Sequence, residues 1–370
     1  MKNSKSIYFP GLNGIRAMAA CMVIFAHTSN RMGKFGLSPI AREDIASHAV
    51  TIFFTLSGFL ITYLLLAEKE KTGTIDIKKF YLRRILRIWP LYYVYLLIVI
   101  VVSGFEVNWA IFFYFLIIPN LRNSFNGLFN IAPGSNTLTS MIGHYWSLGV
   151  EEQFYSFWPW IVKNGKYFLK VLILLPIAYV VIKLALRLIH APYGIITFFN
   201  YTRFGCMALG GLGAYLYFYH KEDLYIFKNR ILEIILYVFF ILVLSGRFHF
   251  TSIIDHEIVA FFTLVLIYNQ IANENVILSF ENKFFDFLGK ISFGLYVYHP
   301  LIIYLLSLII GSQMKDYPMT MTVIIFILVF LFTILISHLS YNYFEKRFLK
   351  IKHKYSTVKS SASKEDFNEK

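Results

Sequence analysis

The sequence predicts an all-α polytopic membrane protein with about ten transmembrane helices and one short re-entrant or interfacial helix. Three observations predict it. Of 370 residues, 57% are hydrophobic and 15% charged, against roughly 45–50% and 25% in a soluble domain. Apolar runs near the roughly 20 residues that cross hydrocarbon recur along the chain. Lys and Arg gather in alternate connections between those runs, the bias that orients membrane proteins. A disordered chain, a collagen-like repeat and an ordinary cytosolic enzyme are thereby excluded. In a soluble protein the net charge of +14 would suggest nucleic acid; here it sits beside the spans, so the expected partner is the lipid bilayer and not nucleic acid.

The runs lie near 10–29, 48–67, 89–104, 148–163, 168–189, 200–219, 231–246, 256–272, 285–309 and 319–341, with a shorter one at 107–118. The segment after the second run carries Lys69, Lys71, Lys78, Lys79, Arg83, Arg84 and Arg87, and further clusters follow at Lys163/Lys166/Lys170, Lys221/Lys228/Arg230 and Lys346/Arg347/Lys350/Lys352. The intervening connections, around 190–199, Arg247 and Lys315, are poorer. If the rich loops are cytoplasmic, both termini are cytoplasmic and the number of spans is even, which makes 107–118 the half-buried helix and puts 119–146 outside. The expected organisation is a transmembrane domain over 1–349 and a disordered cytoplasmic tail over 350–370, polar and rich in Ser, Lys and Glu. The first run reads as a span and not as a cleavable signal peptide.

Ionisable groups inside a bilayer are costly, so each is a candidate for function. Arg16 and His27 in the first run are eleven residues apart. That is about 1100° of helix, within about 20° of three full turns, so they share a face roughly 16 Å long on which Asn13 also lies. In the next cluster, Arg83, Arg84 and Arg87 form a compact basic helix surface suited to phosphates, with Pro90 marking the entry to the third span. The paired acids Glu151 and Glu152 open an aromatic helix beside Trp146, where a carboxylate could orient His27 or accept hydrogen bonds from a sugar. Arg203 lies deep in the sixth run, ahead of Gly205, Gly210, Gly211 and Gly213, small residues that let helices approach closely. Ser292, Tyr296 and His299 follow spacings of four and three and share one face of the ninth run. Asp255, His256 and Glu257 read as a loop-to-helix cap. Aromatics make up 19% of the chain, more than interfacial belts require, and imply an aromatic-lined cavity. Cys21 and Cys206 lie in apolar runs and suggest neither a disulfide nor zinc. No CxxC, HExxH, Walker A or GxSxG pattern occurs, so neither a bound metal nor NTP chemistry is expected.

The stretch FPGLNGIRAMAACMVIFAH resembles the first-span signature of acyltransferase family 3, in which a basic residue precedes a histidine with ten residues between. The segments FFTLSGFLITYLLL, FYLRRILRIWPLYYVYL, HYWSLGVEEQFYSFWP and LGKISFGLYVYHPLII follow in the family's order, and the likeness extends over about residues 8–345. The resemblance implies about ten spans and transfer of an acyl group, usually acetyl from cytoplasmic acetyl-CoA, to a hydroxyl of a glycan, lipid-linked sugar or other acceptor. Acetyl-CoA is then the donor substrate, with no tightly bound cofactor. His27 is implied as the catalytic residue and Arg16 as its functional partner, with Arg84 and Arg87 at the donor. Arg83 and Arg203 are further candidates for donor binding, Glu151 and Glu152 for catalysis, and Trp146, Tyr296 and His299 for substrate binding. Asn13 departs from the family, which often has Asp there. Some members carry an extracytoplasmic hydrolase-like domain after an extra span; this chain is expected to finish the transfer itself or hand over to a separate protein, such as one of polysaccharide assembly. The competing reading is a transporter of a glycan or small anion, which shares the spans and buried charges but consumes no CoA.

Overall fold

The computed structural model describes residues 7–42, 44–105, 109–129, 137–311 and 318–358. The described residues form helices and connecting turns, with no strand among them. In chain order the helices are α1 (Leu12–Asn30), α2 (Asp44–Thr72), α3 (Ile77–Val102), α4 (Ile111–Phe115), α5 (Asn120–Phe129), α6 (Thr137–Ile142), α7 (Trp146–Asn164) and α8 (Phe168–Leu188). Then come α9 (Tyr193–Tyr201), α10 (Phe204–Tyr219), α11 (Arg230–Leu244), α12 (Asp255–Ala272), α13 (Lys283–Lys290), α14 (Ser292–Ile310), α15 (Pro318–Ser340) and α16 (Lys346–Lys354).

Among the described residues, five segments are long and apolar enough to cross a membrane unaided: α2, α3, α8, α14 and the continuous stretch Pro318–Lys354. By contrast α10 and α11, with 16 and 15 residues, rise about 24 and 22 Å, less than the roughly 30 Å of hydrocarbon. Two of the apolar runs are each broken into two helices. The run at 200–219 breaks at Thr202 and Arg203, and the run at 285–309 breaks at Ile291. The third helix starts well before its apolar run, because Asp76 caps it by accepting the Lys79 N–H at 3.0 Å. Pro90 consequently lies inside α3 and does not mark its start.

The short apolar run at 107–118 is represented by α4; residues 106–108 lie outside the described residues, as do 130–136 of the connection at 119–146. Lys315 and residues 359–370 also lie outside them. The boundary expected at Lys350 falls within α16, which runs to Lys354.

Helix α2 is the axis of the bundle, packed against α1, α7, α10 and α12. Its contact with α10 is close enough to exclude side chains. A Cβ on Gly58 would stand 1.9 Å from the Met207 carbonyl oxygen, and one on Gly210 would stand 2.0 Å from that of Thr55. The glycines ahead of Tyr215 thus allow the close helix approach expected of small residues.

Buried polar pairs tie the neighbouring helices. Lys183 on α8 donates to Glu257 on α12 at 2.7 Å, and His256 on α12 pairs with Thr51 on α2 at 3.0 Å. Only Asp255 serves the loop-to-helix junction expected of Asp255–Glu257, accepting the N–H groups of Phe250 and Thr251. His256 and Glu257 are instead taken up by these pairs with α2 and α8.

Candidate active site

Arg16 on α1, Arg84 and Arg87 on α3, Glu151 and Tyr155 on α7, and Ser292 and Tyr296 on α14 line one cavity of about 130 Å³. Arg84 and Arg87 are three apart on α3, so a single helix face delivers both. None of the three guanidiniums makes a hydrogen bond or ion pair with another described side chain. The Arg84 Nε atom is buried without an acceptor, and its guanidinium lies 5.9 Å from the ring centroids of Phe80 and Tyr155. Buried unpaired cations of this kind are expensive unless an anion joins them.

Arg83 departs from the expected donor set. Its Nη2 donates to Glu68 at 2.8 Å and its Nη1 to the Tyr355 carbonyl oxygen at 3.0 Å, so its charge is already matched. The two adjacent acids also separate. Glu151 accepts from Ser57 Oγ at 2.9 Å and the Tyr155 hydroxyl at 3.2 Å, whereas Glu152 accepts from Trp89 Nε1 at 3.0 Å. Neither reaches His27.

His27 lines a second cavity, of about 640 Å³, together with Asn30, Arg31, Trp146, Arg203 and Tyr296. The partner of His27 is an imidazole and not a carboxylate: its Nδ1 lies 2.8 Å from His299 Nε2, with the rings stacked at 5.1 Å. His299 is fully buried behind it, and its own Nδ1 lies 3.1 Å from the Leu295 carbonyl oxygen. That oxygen can only accept, so His299 Nδ1 carries its proton and, in a neutral pair, His299 Nε2 is bare. His27 Nδ1 must then donate to it. The lone pair of His27 Nε2 is left available, which is the tautomer required of a base or nucleophile. His299 was expected to bind substrate; it lies behind the cavity lining and acts on the ring of His27.

The two cavities share Tyr296 and Val50 as wall residues. Tyr296 is fixed there, donating to the His144 carbonyl oxygen at 2.7 Å and accepting from Ser147 Oγ at 2.6 Å. Arg203 lies on the His27 side, away from Arg84 and Arg87. It stacks over Trp146 at 5.2 Å and donates to Ser47, Thr51 and the Asn200 carbonyl. Asn13, the position where the family often has Asp, donates to Asp286 on α13 at 3.0 Å, so a neighbouring helix supplies a carboxylate there.

Arg31 was not singled out from the sequence, yet it lies one turn beyond His27 and lines the same cavity. One of its N–H groups is used on the Ser140 carbonyl at 2.7 Å. The i,i+4 spacing from His27 was the available signal; its position at the end of the first apolar run made it resemble an ordinary interfacial anchor. Among the described residues no group of three or more His, Cys, Asp or Glu side chains is arranged to hold a metal.

The profile of a family described as an acyltransferase domain matches residues 9–341. A peptidoglycan O-acetyltransferase, OatA, of Listeria monocytogenes is 34% identical over 186 residues, covering 45% of this chain and 27% of the relative. The O-acetyltransferase OatA of Staphylococcus aureus is 26% identical over 374 residues, covering 91% of this chain and 57% of the relative. The chain thus spans little more than half the length of the curated relatives that it matches end to end. No solved structure matches it. Because the profile runs over nearly the whole chain, through both cavities and the paired histidines, the protein belongs to acyltransferase family 3.

Proposed function

We propose that the protein is an integral-membrane O-acetyltransferase of the cell membrane. It moves an acetyl group from cytoplasmic acetyl-CoA to a hydroxyl of an extracytoplasmic glycan, with both termini cytoplasmic. The observation that carries this reading is the meeting of two cavities at Tyr296 and Val50, with unpaired arginines in one and His27 in the other. A glycan acceptor is favoured by the name of the Listeria relative and by the combination of Trp146, Tyr193, Tyr201, Asn30 and Asn200 around the larger cavity. Aromatic faces and amides of this kind suit sugar rings and hydroxyls.

In this mechanism the phosphates of CoA remain with Arg16, Arg84 and Arg87, while the slender arm passes Tyr296 towards His27. His27 Nε2 takes the proton of the acceptor hydroxyl as the oxygen attacks the thioester carbonyl. The resulting oxyanion is stabilised by Arg31, the cation nearest along the same helix. The C–S bond then breaks, and the imidazolium returns its proton to the departing thiolate. His299 keeps the ring of His27 in the reactive tautomer, the part played by a carboxylate in hydrolase triads. Glu151 contributes to the donor cavity, and Arg203 with Trp146 to the acceptor cavity.

The test is transfer from radiolabelled acetyl-CoA in membranes carrying the protein or its His27→Ala variant. Ester-linked label in envelope carbohydrate should require the intact histidine. Equal labelling by both proteins would overturn the assignment, and uptake of label without ester formation would favour a transporter.

A further inference from the structure

The last described segment of the chain closes over the arginine end of the bundle. Helix α16 packs along α3. Arg83 Nη1 holds the Tyr355 carbonyl oxygen at 3.0 Å, and Lys71 Nζ holds that of Thr357 at 3.1 Å. Between this strap and helices α2 and α3 lies a small void lined by Glu68, Arg83, Arg84, Lys352 and Ser356. It shares Ile61 and Arg84 with the arginine cavity, so the two are adjoining compartments.

Lys352 is the unexplained group. The charges that act on it most strongly are the guanidiniums of Arg84, Arg87, Arg16 and Arg83. Its Nζ makes no hydrogen bond or ion pair with another described residue. A fold gathers like charges in a half-buried place at a cost, which an anionic ligand removes. Glu68, the carboxylate in the void, is engaged by Arg83 at 2.8 Å and by the Asp76 N–H at 3.0 Å.

Resting on the donor reading above, we propose that Lys352 and its strap complete the binding site for the phosphate groups of a nucleotide-bearing acyl donor. The donor's phosphates lie against the strap where it meets α2 and α3, Arg84 is shared between them and the start of the arm, and Lys352 adds a second cation without a protein partner beside Arg84. The strap is therefore part of the donor site, and the arginine cavity alone is incomplete.

The experiment compares two donors with the full chain in phosphatidylcholine nanodiscs: acetyl-CoA, and S-acetylpantetheine, which has the thioester and arm but no nucleotide. Lys352→Met should raise KM for acetyl-CoA about tenfold, the worth of one charge-assisted contact. It should leave KM for S-acetylpantetheine unchanged, and Lys352→Arg should restore the acetyl-CoA value. An unchanged KM for acetyl-CoA overturns the proposal. An equal loss with both donors overturns it as well, since that is the mark of a structural role. A defect that appears only when phosphatidylglycerol is added assigns the lysine to a lipid headgroup instead. If the unaltered protein transfers nothing from acetyl-CoA but is active with S-acetylpantetheine, the donor reading itself fails, and the role of Lys352 falls with it.

Discussion

His27 and His299 lie 272 residues apart in the chain and 2.8 Å apart through their ring nitrogens. The chain of hydrogen bonds runs from the Leu295 carbonyl through His299 to His27, which lines the larger cavity and keeps one bare ring nitrogen. Removing the second histidine leaves the reacting one in place but frees its tautomer. His299→Ala should therefore lower kcat about 100-fold while leaving KM for acetyl-CoA within about twofold. His27→Ala should abolish transfer. A full collapse of donor binding in His299→Ala would show instead that the histidine supports the fold of α14.

Arg31 should behave as a transition-state residue. Its replacement by Met is expected to lower kcat by about 10²–10³ with donor affinity retained, because the charge that it offsets exists only after attack on the carbonyl. Arg31→Lys should recover part of the loss. A change in KM alone would assign Arg31 to substrate binding.

Neighbouring arginines should separate by type of defect. Arg84→Met and Arg87→Met should raise KM for acetyl-CoA by tenfold or so, since their guanidiniums line the donor cavity without a protein partner. Arg83→Met should instead lower thermal stability and expression, because it leaves Glu68 buried without its cation at 2.8 Å. Thermal unfolding in detergent, measured beside KM, distinguishes the two patterns.

The shared wall gives a prediction about coupling. Tyr296→Ala removes the ring between the two cavities and should admit water to the thioester, so that acetyl-CoA hydrolysis without acceptor rises several-fold while transfer falls. Tyr296→Phe keeps the ring, loses only the hydrogen bonds to His144 and Ser147, and should retain most of its coupling. Release of free CoA against ester formed measures the ratio.

The helices and their charged faces were readable from spacing, but the partners of those faces were not. Arg16 and His27 do share a helix, yet each lines a different cavity, because Tyr296 and Val50 from other helices stand between them. The acids at 151 and 152 are adjacent, so about 100° of helix rotation sends one to Ser57 and the other to Trp89. Among Arg83, Arg84 and Arg87, periodicity gave one basic surface; where α2 brings Glu68 decides which arginine is neutralised. The face carrying Ser292, Tyr296 and His299 was right as a face. The role of His299 depends on a contact with the far end of the chain, which no local pattern encodes.

Three helices around the site carry an internal proline: Pro90 in α3, Pro159 in α7 and Pro300 in α14. Each lacks the N–H that would bond four residues back, and for the last two the released carbonyls are those of Tyr155 and Tyr296, both of which line the arginine cavity. Helices α1, α2 and α10 have no such residue, and α2 and α10 are locked backbone to backbone at Gly58 and Gly210. The passage thus has one stiff bank and one compliant bank. Widening of this passage is expected from α3, α7 and α14 bending at their prolines, so that Tyr296 moves on the compliant side while His27 keeps its place on the stiff one.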